Sequence, residues 1–133
     1  MANEVKNEDT LSDAAPPTRA EPTVRTKEEF EAALQNAKGP VLVDFIQPDC
    51  GPCIEETPVF NKLAEACKTS GSTIMRVDVT QGFGEQLAME HDVEGTPTSL
   101  FAETAADFKA GKTRELADLD SSAARRKLKC SIK

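Results

Sequence analysis

Six consecutive residues, Val41-Leu42-Val43-Asp44-Phe45-Ile46, constrain this chain more than any other feature. The run is apolar, β-branched and aromatic, and breakers bound it on both sides: Gly39-Pro40 before and Gln47-Pro48-Asp49-Cys50-Gly51 after. So short a run between breakers reads as a strand buried on both faces. The pattern then changes period. Phe60, Leu63, Ala64 and Cys67 recur at i, i+3, i+4 and i+7, one face of a helix. Pro52 suits the first turn of that helix, and Pro58 should kink it. A buried strand running straight into a helix commits the chain to an α/β architecture.

The remaining segments extend this pattern. Thr26 and Glu29 form a capping box ahead of Phe30, Ala33, Leu34 and Ala37. Residues 73–79 read as a second buried strand. Residues 83–91 read as a short helix with Phe83, Leu87 and Met89 inward. A third strand follows Gly95-Thr96-Pro97. Residues 108–112 look like a turn before a weak strand over 113–116, and Ser121 or Ser122 caps a basic helix ending near Lys129. Gly71 closes the long helix. The order predicts a mixed sheet of four to five strands with helices on both faces. Residues 1–22, rich in Ala, Pro, Asn and acids, read as a disordered acidic tail, and residues 23–133 as the folded domain.

Composition excludes several functions. The net charge of −7 disfavours nucleic-acid binding, which needs basic surface. No stretch nears 18 apolar residues, so no membrane span is expected. The polar, acidic start lacks a secretory signal, which points to the cytoplasm. Four cysteines with a single C-x-x-C pair and one histidine, His91, do not make a zinc site. Cys67 reads as a small core residue and Cys130 as a frayed-end thiol, with a regulatory or dimer-forming role open to either. His91 reads as solvent-facing.

Cys50 and Cys53 carry the chemistry. A thiolate is the nucleophile in disulfide exchange, and an ordinary cysteine with pKa of about 8.5 is only slightly ionised at pH 7. Cys50 precedes a helix start, where unpaired N–H groups and the dipole favour an anion. Cys53 lies one turn on, within reach of a reversible disulfide. Cys50 can attack a substrate disulfide and Cys53 can resolve the product. Gly51 leaves the approach open and Pro52 stiffens the loop. A structural disulfide or partial metal site is the competing reading of the pair.

Cys-Gly-Pro-Cys after a strand, opening a proline-containing helix, resembles the thioredoxin family. Val43-Asp44-Phe45, Pro58, Gly95-Thr96-Pro97-Thr98 and Arg76-Val77-Asp78 match at the family's spacing. The resemblance implies a thioredoxin fold and a protein-disulfide reductase, a monomer that needs no cofactor or metal and is recharged by a thioredoxin reductase. It implies that Asp44 is a buried proton shuttle for Cys53. It implies a cis Pro97, with Gly95 and Thr96 beside it to pair with disulfide-bearing protein substrates. Arg76 stands where the family usually has lysine. It cannot lose its proton, and should hold Asp44 more ionised than a neutral neighbour would.

The chain also departs from the family. It has no Trp and no Tyr, and Asp49 replaces the tryptophan before the nucleophile. A negative charge there should lower the thiolate fraction of Cys50, and the lost aromatic surface should weaken general docking. Ile54 and Glu55-Glu56 replace the usual lysine and apolar pair. Glu56 and Pro58 resemble the Cys-x-x-Cys-x-x-Glu-x-Pro pattern of TlpA-like and ResA-like cytochrome-maturation proteins. Residues 102–107 are longer than the usual hairpin connection, and the glycine expected near 116–118 is missing. Two alternatives therefore stand beside the reductase: a dedicated reductant for a cytochrome or metal-site thiol, and a redox-inactive binding module.

Overall fold

A computed structural model describes residues 23–80 and 82–130. The acidic tail read over residues 1–22 lies outside them. The elements in chain order are β1 (Thr23–Val24), α1 (Lys27–Asn36), β2 (Val41–Ile46), α2 (Gly51–Ala66) and β3 (Thr73–Asp78). They continue as α3 (Gly82–Glu90), β4 (Thr98–Ala102), α4 (Ala105–Lys109), β5 (Arg114–Glu115) and α5 (Ser122–Lys127). The sheet runs β1-β3-β2-β4-β5. The β1–β3 and β3–β2 pairs are parallel, and β2–β4 and β4–β5 are antiparallel. This is the mixed five-stranded sheet of a thioredoxin fold.

Strand alternation divides the core into two layers. Val41, Val43 and Phe45 of β2 pack with Met75 and Val77 of β3 and Leu100 of β4 against Phe30 and Leu34 of α1 and Leu87 of α3. The intervening residues Leu42, Ile74 and Phe101 pack on the other face, with Phe60 and Leu63 of α2 and Leu128 beyond α5. The same alternation turns Asp44, Arg76 and Ser99 toward α2.

Local signals set the ends of these elements. The Thr26 side chain accepts from the Glu29 N–H, and the Glu29 carboxylate accepts from the Arg25 N–H. Such caps contribute about 1 kcal/mol each. Pro58 lies within α2, which continues through it. Gly71, at φ +89°, turns the chain after α2 where a Cβ is disfavoured. Gly84 is required for closeness: a Cβ there would collide with the Asp78 carbonyl, so α3 can lie tight on the end of β3.

The structure corrects several expectations. The stretch read as an overlong connection and turn contains α4, capped by Thr104 accepting from the Asp107 N–H. Met89 is 71% exposed, because the buried stripe of α3 runs through Gly84, Leu87 and Ala88 and Met89 falls outside it. His91, read as solvent-facing, is only partly so: it is half-buried, its ring lies 4.5 Å from that of Phe108, and burial lowers its pKa. Cys130 is no frayed thiol. It is buried and disulfide-bonded to Cys67, a pairing across 63 positions that no local pattern signals.

Candidate active site

The loop after β2 delivers Cys50 as the N-cap of α2. The Cys53 N–H donates to Cys50 Sγ at 3.1 Å, so a helix-terminal donor already faces the sulfur. The two cysteines are bonded, with Cα atoms 5.2 Å apart, inside the ordinary disulfide range. Cys50 is half-buried and Cys53 is 1% exposed. This asymmetry leaves one sulfur open to an incoming disulfide and keeps the other behind it. Asp49, Gly51 and Pro52 are exposed around the pair.

The Thr96–Pro97 peptide is cis. Cys50 Sγ lies 3.7 Å from the Thr96 carbonyl oxygen, which brings the 95–97 loop against the pair. Thr98 Oγ1 donates to the Gly95 carbonyl at 2.7 Å and braces that loop.

Beneath the first turns of α2 lies a polar cluster within an otherwise apolar layer. Asp44 pairs in register with Arg76 on β3 and with Ser99 on β4, so the three side chains form one row across the sheet. Arg76 Nε donates to Asp44 Oδ2 at 2.9 Å, and Ser99 Oγ donates to Oδ1 at 2.8 Å. The guanidinium also donates to Thr57 Oγ1 (2.9 Å), the Cys53 carbonyl (3.2 Å) and Glu56 Oε1 (3.3 Å). It sits 4.9 Å from the centre of the Phe60 ring, a cation–π distance. Arg76 thus ties Asp44 to the backbone of Cys53.

Burial pushes the Asp44 carboxyl up to about 8, with Glu56 adding to the rise through a hydrogen bond and its charge. Arg76 and Ser99 pull the other way without offsetting it. Arg76 therefore acts in the direction expected of it, but burial, helped by a second carboxylate on the same guanidinium, leaves Asp44 a weak acid.

Cys50, Cys53, Asp44, Arg76 and the 95–97 loop, all marked in the sequence, are linked in the structure by these contacts. Ser99 and Thr57 carry no such mark, and Glu56 is marked only as part of a pattern. Ser99 was reachable only from cross-strand register. Thr57 follows from helical spacing, four residues after Cys53, to whose carbonyl its hydroxyl donates at 3.2 Å. Among the described residues no group of three or more His, Cys, Asp or Glu side chains is placed to hold a metal ion.

The thioredoxin family model matches residues 21–125. The chain belongs to the thioredoxin family. An H-type thioredoxin of Oryza sativa subsp. indica is 36% identical over 84 residues, spanning 61% of this chain and 66% of that protein. The chloroplastic thioredoxin Y2 of Arabidopsis thaliana is 34% identical over 88 residues, spanning 66% of this chain and 47% of that protein. The chain thus spans between about half and two thirds of these thioredoxins' own lengths. Among solved structures, a point mutant of a thioredoxin from Halobacterium salinarum NRC-1 superposes with a TM-score of 0.58 at 27% identity, covering 88% of this chain and 92% of that one.

Proposed function

We propose that the protein is a thiol–disulfide oxidoreductase that reduces protein disulfides through Cys50 and Cys53. The observation that carries this reading is the Cys50–Cys53 bond at the start of α2, with Cys50 half-open, Cys53 buried, and the Cys53 carbonyl tied through Arg76 to the buried Asp44 carboxyl. In the dithiol form the Cys50 thiolate attacks one sulfur of a substrate disulfide. One mixed disulfide forms and one substrate thiolate leaves. Cys53 then loses its proton and attacks Cys50, releasing the second substrate thiol and closing Cys50–Cys53.

Asp44 is the proton acceptor in that second step. A carboxyl at about 8 changes its protonation close to neutral pH, so it can take up a thiol proton and give it back without a large penalty in either direction. Arg76 is a positioning residue, holding Asp44 and the Cys53 carbonyl on one fork. Thr96 lines the approach to Cys50 and offers its backbone to an extended substrate segment. Disulfide-bearing proteins are the substrates, and a flavin-dependent thioredoxin reductase returns the electrons. A cytoplasmic setting suits that donor. No helix among the described residues is long and apolar enough to cross a membrane.

Insulin reduction by dithiothreitol tests the assignment. The wild type should accelerate insulin precipitation and Cys50→Ser should not. Equal rates would leave only a binding module.

A further inference from the structure

The helix that begins at one disulfide ends at another. Cys50 is the N-cap of α2, and Cys67 is its C-cap, bonded to Cys130. Sixteen residues of helix lie between the two cysteines, which at 1.5 Å per residue sets them about 25 Å apart, so the two bonds cannot exchange sulfurs directly. We propose that Cys67–Cys130 is a second redox centre of this protein, a latch that locks the C-terminal segment onto the far end of the catalytic helix and stays closed while Cys50–Cys53 turns over.

Three observations built independently of the catalytic pair support the latch. First, the chain is shaped to deliver Cys130. Beyond α5 the Cys130 N–H donates to the Arg125 carbonyl and the Lys129 N–H to the Arg126 carbonyl, the paired bonds of a Schellman turn. That turn needs a left-handed residue, and Lys129 takes it at φ +61° although glycine is the residue suited to it. Second, both cysteines are buried in the layer formed by Leu42, Phe60, Leu63 and Leu128. A bulky thiol has no route to them while α5 is docked, whereas Cys50 is half-open. Third, the Ser70 and Ser72 hydroxyls each lie 3.7 Å from Cys130 Sγ. They are bonded to each other at 2.7 Å, and Ser70 Oγ donates to the Cys67 carbonyl at 3.0 Å, so the loop after α2 closes over the bond.

Closing the latch joins the two sulfurs, releases two protons and passes two electrons to a small disulfide such as oxidised glutathione, which leaves as two thiols. Opening reverses this, with a small dithiol as reductant, after α5 has undocked.

The full chain, oxidised with glutathione, is equilibrated at graded ratios of reduced to oxidised glutathione, quenched with an alkylating agent and mapped by peptide mass. The Cys50 and Cys53 peptides should become alkylated across ratios at which the Cys67 and Cys130 peptides remain joined. Cys67 and Cys130 alkylated in the oxidised protein, or opening in step with Cys50 and Cys53, would overturn the latch. The catalytic peptides report the proposed activity separately, so either reading can fail alone. In parallel, Cys130→Ser should keep insulin reduction within about twofold of wild type. With Cys50–Cys53 reduced in every sample, its melting temperature should lie below that of wild type still closed at Cys67–Cys130 and match that of wild type fully reduced by a phosphine. A wild type whose melting temperature does not move between reduction at Cys50–Cys53 alone and full reduction would overturn the latch without any variant.

Discussion

Asp44 is the residue on which the energetics of this site turn. Its carboxyl is fully buried, and its pKa rises from 3.8 to about 8. Below pH 3.8 the folded and unfolded chains both hold the proton, and folding is not penalised. Between 3.8 and 8 the unfolded chain gives the proton up while the folded chain keeps it, so stability falls steadily as pH rises. Above 8 both are ionised and the penalty is constant. Asp44→Asn resembles the protonated form at every pH. Its stability relative to wild type should therefore be near zero at about pH 4 and grow up to about pH 8, then level off. Urea unfolding midpoints across that range measure it. An advantage independent of pH would mean that Asp44 titrates normally. The same variant removes the proposed acceptor for the Cys53 proton, and insulin reduction at pH 7 should slow on the order of 10²-fold. Asp44 could be singled out in the sequence because a carboxylate inside an apolar strand has to be explained. Its partner Ser99 carried no such mark, since serine is ordinary in a strand and only the β2–β4 register gives it a role.

At the scale of elements, the distinction is between signals held within one segment and signals held between segments. β2, α2, β3 and β4 were legible because each is an apolar run with its own breakers. β1 was not. It is two residues long and exists because Thr23 and Val24 pair with Arg76 and Val77. α4 carried a capping threonine, but five residues of helix offer too little periodicity to read. The Cys67–Cys130 bond is the extreme case, joining elements that no spacing rule connects. Closing a loop of that length contributes about 4 kcal/mol in the chain-entropy view, enough to hold a six-residue helix that cannot persist alone.

Arg76 is the corresponding device between α2 and the sheet. Its fork reaches Asp44 on β2 and Cys53, Glu56 and Thr57 on α2. A lysine keeps the charge but is a single point donor. Arg76→Lys should leave several of these buried acceptors without their donor and cost about 1–3 kcal/mol. This would be seen as a lower urea midpoint at unchanged m-value. A midpoint equal to wild type would show that the fork geometry contributes nothing.

For the molecule as a whole, charge decides which partners arrive. The chain carries −7, and acids flank the reactive pair: Asp49 on the exposed loop, and Glu55 on the exposed face of α2. The large exposed apolar side chain beside the pair is Ile54, 60% exposed. A docking face built this way has little area to hold a partner by burial and relies on its field to collect one. Basic disulfide proteins should then be reduced faster than acidic ones at low ionic strength. The advantage should decay once the Debye length, about 10 Å at 0.1 M salt, falls below the spacing of the charges. The measurement is kcat/KM for one basic and one acidic disulfide substrate from about 10 to about 500 mM salt, repeated with Asp49→Asn and Glu55→Gln together. The basic substrate should lose rate with salt while the acidic one gains, and the double variant should flatten both curves. Parallel curves for the two substrates would mean that partner choice rests on shape around Ile54 and the Thr96 backbone, with the surface charge serving solubility alone.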